Sequence, residues 1–150
     1  MTDRPVILLL SGPNLNLLGT RQPEIYGIDT LDDHVGRCRA VAAERGYDLD
    51  HVHSNHEGAL VDAIQAARTT TAGIVINAAA FTHYAWALHD ALSTYDHPVI
   101  ELHISNPGAR ESWRHTSVIT PVATAVIAGL GWRGYPLATG AVIDLAEDRR

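Results

Sequence analysis

Short continuous apolar runs alternate along the chain with longer stretches in which apolar residues recur every three or four positions. Val6–Leu10, Leu49–His53, Ile74–Ile76 and Val99–Ile104 are too short for helices. They read as strands, and the consecutive rather than alternating Val6, Ile7, Leu8, Leu9 and Leu10 predict a strand covered on both faces, as in a parallel sheet. The stretches between them have helical period. One helix is expected from a cap at Thr30, whose hydroxyl can take an amide near Asp33, to Gly46 after Glu44 and Arg45. A second spans Glu57–Ala67 with Leu60, Ile64 and Ala67 on one face. A third spans His83–Tyr95 with Trp86, Leu88 and Leu92 on its apolar side. After Val118–Thr120, Pro121 is expected to open an alanine-rich helix ending near Gly129 and Gly131, and Leu137–Glu147 reads as the last helix. No linker, repeat or low-complexity segment interrupts the pattern.

Four or five strand–helix units in 150 residues, 46% of them hydrophobic, predict one α/β domain: a doubly wound parallel sheet of flavodoxin-like size with helices on both faces. Ligands of such sheets sit beyond the carboxyl ends of the strands. The first strand runs into Ser11-Gly12-Pro13-Asn14-Leu15-Asn16, the second into Ser54-Asn55-His56, the third into Asn77 to His83 and the fourth into His103-Ile104-Ser105-Asn106. Each could be simple turn chemistry, as Asn16 and Asn55 are read here, but their common edge favours a site.

Composition narrows the chemistry. All 11 basic residues are arginine, so mechanisms that need a side-chain primary amine are excluded, Schiff-base catalysis and the phosphate-loop lysine among them. A single cysteine, Cys38, excludes intrachain disulfides and multi-cysteine zinc sites, and fits a reducing, cytoplasmic setting. The formal charge of -6 has the wrong sign for a nucleic-acid surface, and the N-terminal apolar run is too short for a signal peptide or membrane span. A soluble protein that binds neither nucleic acid nor membrane is expected.

Several residues at the predicted edge can do chemistry. Glu101 and His103 lie two apart on a strand, so the carboxylate can reach the imidazole, orient it and favour its protonated form; a buried ion pair without catalytic role is the alternative. Arg110 and Arg114, four apart, would share a face of one helical turn and suit an anionic carboxylate or phosphate. The connection Gly19 to Gly27 carries Arg21 and Tyr26 between two glycines that could act as hinges. A phenol titrates near pH 10, so Tyr26 would need about 4 kcal/mol of help to act as a base near neutrality. Arg21 could supply part of it; a packing plug on a mobile loop is the other reading. His83, at the expected start of the third helix, suits a bound anion, with Asp90 seven residues on along the same face. His51, His53 and His56 cluster, but without an acidic ligand set they suggest no metal. No dinucleotide glycine fingerprint follows the first strand.

Taken in order over nearly the whole chain, Gly12-Pro13-Asn14-Leu15-Asn16-Leu17-Leu18-Gly19, the Arg21 and Tyr26 loop, Asn77 to His83, and Glu101-Leu102-His103-Ile104-Ser105-Asn106 with Arg110 and Arg114 resemble the type II 3-dehydroquinate dehydratases. The resemblance implies a flavodoxin-like five-stranded parallel sheet in a three-layer sandwich, a dodecamer built from trimers, and dehydration of 3-dehydroquinate to 3-dehydroshikimate without metal or organic cofactor. It implies that Tyr26, made more acidic by Arg21, removes a proton to form an enolate. Asn14 would hold the water that stabilises it, and His103, paired with Glu101, would protonate the departing hydroxyl. Asn77, Ile104 and Ser105 would hold the substrate carboxylate, His83 and Arg114 the ring hydroxyls, and Arg110 would help close the loop, while Asp90 would reach a neighbouring subunit's site. Ala79 stands where the family often has glycine, Tyr84-Ala85 replaces a frequent Thr-Ser, and Pro107-Gly108 varies the loop before Arg110. Aromatic biosynthesis and quinate breakdown both use this step. A non-catalytic protein that binds an acidic metabolite is the competing reading.

Overall fold

The computed structural model describes residues 3–149. Five parallel strands, β1 (Val6–Ser11), β2 (Asp48–His53), β3 (Gly73–Asn77), β4 (Val99–His103) and β5 (Ala125–Ala128), form one sheet in the order β2-β1-β3-β4-β5. This is the flavodoxin-like strand order, with its crossover switch between β1 and β3. The helices are a single turn α1 (Pro23–Tyr26), then α2 (Leu31–Glu44), α3 (Glu57–Ala67), α4 (Trp86–Ser93) and α5 (Gly134–Asp148).

The continuous apolar run of β1 is explained by two cores. Ile7 and Leu9 pack with Val35, Cys38, Tyr135 and Val142 beneath α2 and α5, whereas Leu8 and Leu10 pack with Leu60, Ile64, Leu88 and Leu92 beneath α3 and α4. Period-two side chains feed both faces in turn. Each such buried side chain contributes about 1.5–3 kcal/mol. Cys38 is completely buried, its Sγ–H directed at the Tyr135 carbonyl 3.6 Å away, and burial pushes its thiol up to about 11.

The start of α2 is as expected: Thr30 Oγ1 accepts from the Asp33 amide at 3.2 Å and the Asp33 carboxylate accepts from the Thr30 amide at 2.9 Å. Other expectations are corrected. Pro121 opens no alanine-rich helix; Thr120–Val122 is one tight turn and Ala125–Ala128 becomes the edge strand β5. The exposed edge of β4 supplies the stronger partner. The Thr124 amide donates to the Val99 carbonyl at 2.7 Å, while Thr124 Oγ1 accepts from the Val99 amide at 3.0 Å. The third helix begins at Trp86 rather than His83, because Ala79–His83 winds as a 3-10 helix and Tyr84 then leaves helical geometry at φ -155°, ψ -5°. Leu88 and Leu92 are buried as predicted, but Trp86 faces outward. The last helix starts three residues earlier than Leu137, at Gly134.

Candidate active site

The site forms where the strands end. The Gly12 amide donates to the Asn77 carbonyl at 2.8 Å, and a Cβ on Gly12 would lie 2.2 Å from the Ala78 oxygen. Only glycine lets the ends of β1 and β3 meet this closely. The chain then turns through Asn14 at φ 68°, a left-handed conformation that asparagine tolerates, with the Asn14 amide donating to Asn55 Oδ1 at 2.9 Å. Asn55, read from sequence as a turn former, therefore braces this loop.

At the end of β3, Asn77 is buried and its amide is held at both ends. Its Oδ1 accepts from the Ala79 amide at 3.2 Å, and its Nδ2 donates to the Tyr135 hydroxyl at 3.0 Å. Complete burial pushes the Tyr135 phenol strongly upward, so it stays neutral. Ala79 adopts φ 51°, a left-handed conformation that glycine takes without strain.

Glu101 and His103 project from the same side of β4. His103 Nε2 lies 2.5 Å from Glu101 Oε2, which leaves Nδ1 as the ring nitrogen for a ligand. Glu101 is 2% exposed. Burial alone would raise its pKa, but donors from His103, Thr120 and Ser117 outweigh burial and hold the carboxyl below its ordinary range.

The positive charges converge from separate turns. Arg110 and Arg114 do not share one helical turn; Pro107–Ala109 and Ser112–His115 are two 3-10 turns that bring them to one cleft. Arg110 Nη1 donates to Ser105 Oγ at 3.0 Å, while its buried Nε has no protein acceptor among the described residues. Arg114 Nε pairs with the exposed Glu111. Tyr26 ends α1, and both Arg21 and Arg110 carry their guanidinium carbons 5.2 Å from the Tyr26 ring centroid. Gly19 (φ 89°) and Gly27 (φ 80°) bound this loop in left-handed conformations.

His83 sits in the 3-10 turn before α4, not on the helix, so no helix N-terminus lies behind it. Its Nδ1 donates to the Thr116 carbonyl at 2.7 Å. Burial, with Arg114 nearby, holds the ring below the ordinary histidine range. Neutral and protonated at Nδ1, it presents Nε2 as an acceptor.

A cleft of about 640 Å³, open space included, brings together Asn14, Arg21, Tyr26, Asn77, His83, His103, Ile104, Ser105, Arg110 and Arg114. That size suits a small molecule. Three arginines and, among the described residues, no carboxylate line it, the reverse of the chain's overall charge of -6. Glu101 stands behind His103, and Asp90 is exposed on α4, outside the cleft. Sequence reasoning missed Ser117 and Thr120, whose hydroxyls bind Glu101, and Tyr135, which fixes Asn77. Val118–Thr120 reads from sequence only as the run before Pro121, and nothing in the sequence ties it to β4.

Residues 5–143 match the family model described as Dehydroquinase class II. A 3-dehydroquinate dehydratase from Jannaschia sp. (strain CCS1) is 55% identical over 137 residues, covering 91% of this chain and 93% of that protein. A catabolic 3-dehydroquinase from Pyricularia oryzae is 55% identical over 139 residues, covering 91% and 88%. The crystal structure of a type II dehydroquinase from Butyrivibrio crossotus superposes with a TM-score of 0.90 at 41% identity, covering 95% of this chain and 99% of that one. These likenesses do not favour a non-catalytic reading, and with the fold and the cleft on record the chain belongs to the class II dehydroquinase family.

Proposed function

We propose that residues 1–150 form a single catalytic domain that dehydrates 3-dehydroquinate to 3-dehydroshikimate. The observation that carries this reading is one cation-lined cleft that holds both Tyr26, with the Arg21 and Arg110 guanidinium groups against its ring, and His103 backed by Glu101. A proton beside a ketone is weakly acidic and hydroxide is a poor leaving group, so base, enolate stabiliser and acid are all required.

Two guanidinium groups lie against the ring of Tyr26, whose oxygen takes the proton beside the ketone. Asn14 orients a water on the enolate oxygen. His103 Nδ1 gives its proton to the departing hydroxyl, and Glu101 bears the other side of the ring. Asn77, Ile104 and Ser105 hold the substrate carboxylate, with Arg110 tied to Ser105. His83 Nε2 and Arg114 take the ring hydroxyls. No step calls on a metal or organic cofactor. Exposed Asp90, on the helix that also exposes Trp86, reaches a second subunit's cleft in a dodecamer of trimers. The protein is cytoplasmic and serves aromatic biosynthesis or quinate breakdown.

The test is the ultraviolet absorbance of the conjugated ketone. Wild-type protein produces it; Tyr26→Phe loses turnover by about a hundredfold to ten-thousandfold while still binding substrate, the range that a positioned catalytic base contributes. Borohydride traps no substrate on the chain, which has no lysine. Full activity in Tyr26→Phe overturns the assignment of the base.

A further inference from the structure

Two hydroxyls outside the substrate cleft converge on Glu101. Thr120 Oγ1 donates to Glu101 Oε1 at 2.6 Å, and Ser117 Oγ lies 3.1 and 3.2 Å from the two carboxylate oxygens. Ser117 Oγ in turn accepts from the amides of Ile119 and Thr120, at 3.1 and 3.0 Å. The turn is therefore built around the carboxylate: backbone amides fix Ser117, Ser117 fixes the turn, and the turn delivers Thr120. With His103 Nε2 at 2.5 Å on Oε2, both oxygens of a 2% exposed carboxylate are engaged. A surface turn would spend its Ser and Thr hydroxyls on its own backbone.

We infer that Ser117 and Thr120 are positioning residues which lock the Glu101 carboxylate onto the Nε2 side of His103 and so keep Nδ1 aimed at the cleft. The inference rests on the reading of His103 as the acid of the dehydration. Neither residue lines the substrate cleft, so their action on the reaction passes through Glu101. The charged and titratable groups around Glu101 are His103 on its own strand, His83 from the Ala79–His83 turn, and Arg114 and His115 from the Ser112–His115 turn, all lining the cavity that Glu101 also lines. None is an acid, so the hydroxyls are the neutral donors that complete its shell. Donors to a carboxylate favour its charged form, as the lowered pKa of Glu101 reflects.

The test is Thr120→Val, which keeps the shape and removes the donor, with Thr120→Ser as rescue and Ser117→Ala as an independent second variant. In Thr120→Val the acid limb of the kcat profile moves up by about one pH unit and neutral-pH kcat falls roughly tenfold at unchanged KM, while Thr120→Ser restores both. A folded Thr120→Val with wild-type kcat and profile overturns the inference, as does a change in KM alone. An infrared pH titration of the protonated carboxyl band, assigned with Glu101→Gln, reads the same lock without substrate. A band that appears at higher pH in Thr120→Val and Ser117→Ala supports it even if the wild type proves inactive on 3-dehydroquinate, and an unmoved band refutes it. A missing wild-type product signal would count against the dehydratase reading alone.

Discussion

Two neighbouring positions behave oppositely toward the same side-chain carbon. Gly12 has no room for a Cβ, which would meet the Ala78 oxygen at 2.2 Å, so Gly12→Ala should cost at least about 3 kcal/mol in urea unfolding. Ala79 already holds a Cβ in the left-handed region at φ 51°. Ala79→Gly relieves about 1 kcal/mol of strain and regains a similar cost in unfolded-chain freedom, so its unfolding free energy should stay within about 1 kcal/mol of wild type. Individual site residues were legible where strand ends supply them: Asn14, Asn77, His103 and Ser105 follow directly from apolar runs and the sheet-edge rule. Tyr26 and Arg21 needed the long loop and the family resemblance. Tyr135, Ser117 and Thr120 were not legible, because each is joined to its partner across 58, 16 and 19 residues of chain and carries no local pattern of its own.

At the scale of elements, strands and helices with strong period and clear caps were readable, and the unclear ones depended on tertiary context. The capping box at Thr30 was visible in the sequence and holds in the structure. Thr30→Ala leaves the Asp33 amide without its acceptor and should lower stability by about 1 kcal/mol, read as a lower urea midpoint with unchanged slope. The segment around Pro121 was misread since alanine favours helix locally, whereas Ala125–Ala128 is recruited by the open edge of β4, where Thr124 bonds Val99 and the strand then pairs with Ile100–His103. His83 likewise looked like a helix start, but the non-helical Tyr84 separates it from α4. The error left the site intact because the 3-10 turn still delivers His83 to the cleft.

At the scale of the whole molecule, charge is segregated: a net acidic chain lines its cleft with arginines, a local field that attracts an anion. Stability has its own pH dependence. Burial, with Arg39 nearby, holds His51 down at about 4, and its Nε2 bonds Ser11 Oγ at 2.9 Å. The folded state thus binds fewer protons than the unfolded chain between about pH 6.5 and 4. His51's contribution is complete above pH 6.5 and is lost as pH falls toward 4. Thermal melts should drop over that interval, and His51→Gln should flatten the drop. The sealed thiol of Cys38 has a practical corollary. With this sulfur inaccessible and no lysine to compete, one cysteine introduced at Ile28, 81% exposed beside Gly27, would be the single site open to a maleimide dye. Its fluorescence would report whether the Tyr26 loop moves when 3-dehydroquinate is added to otherwise unlabelled protein.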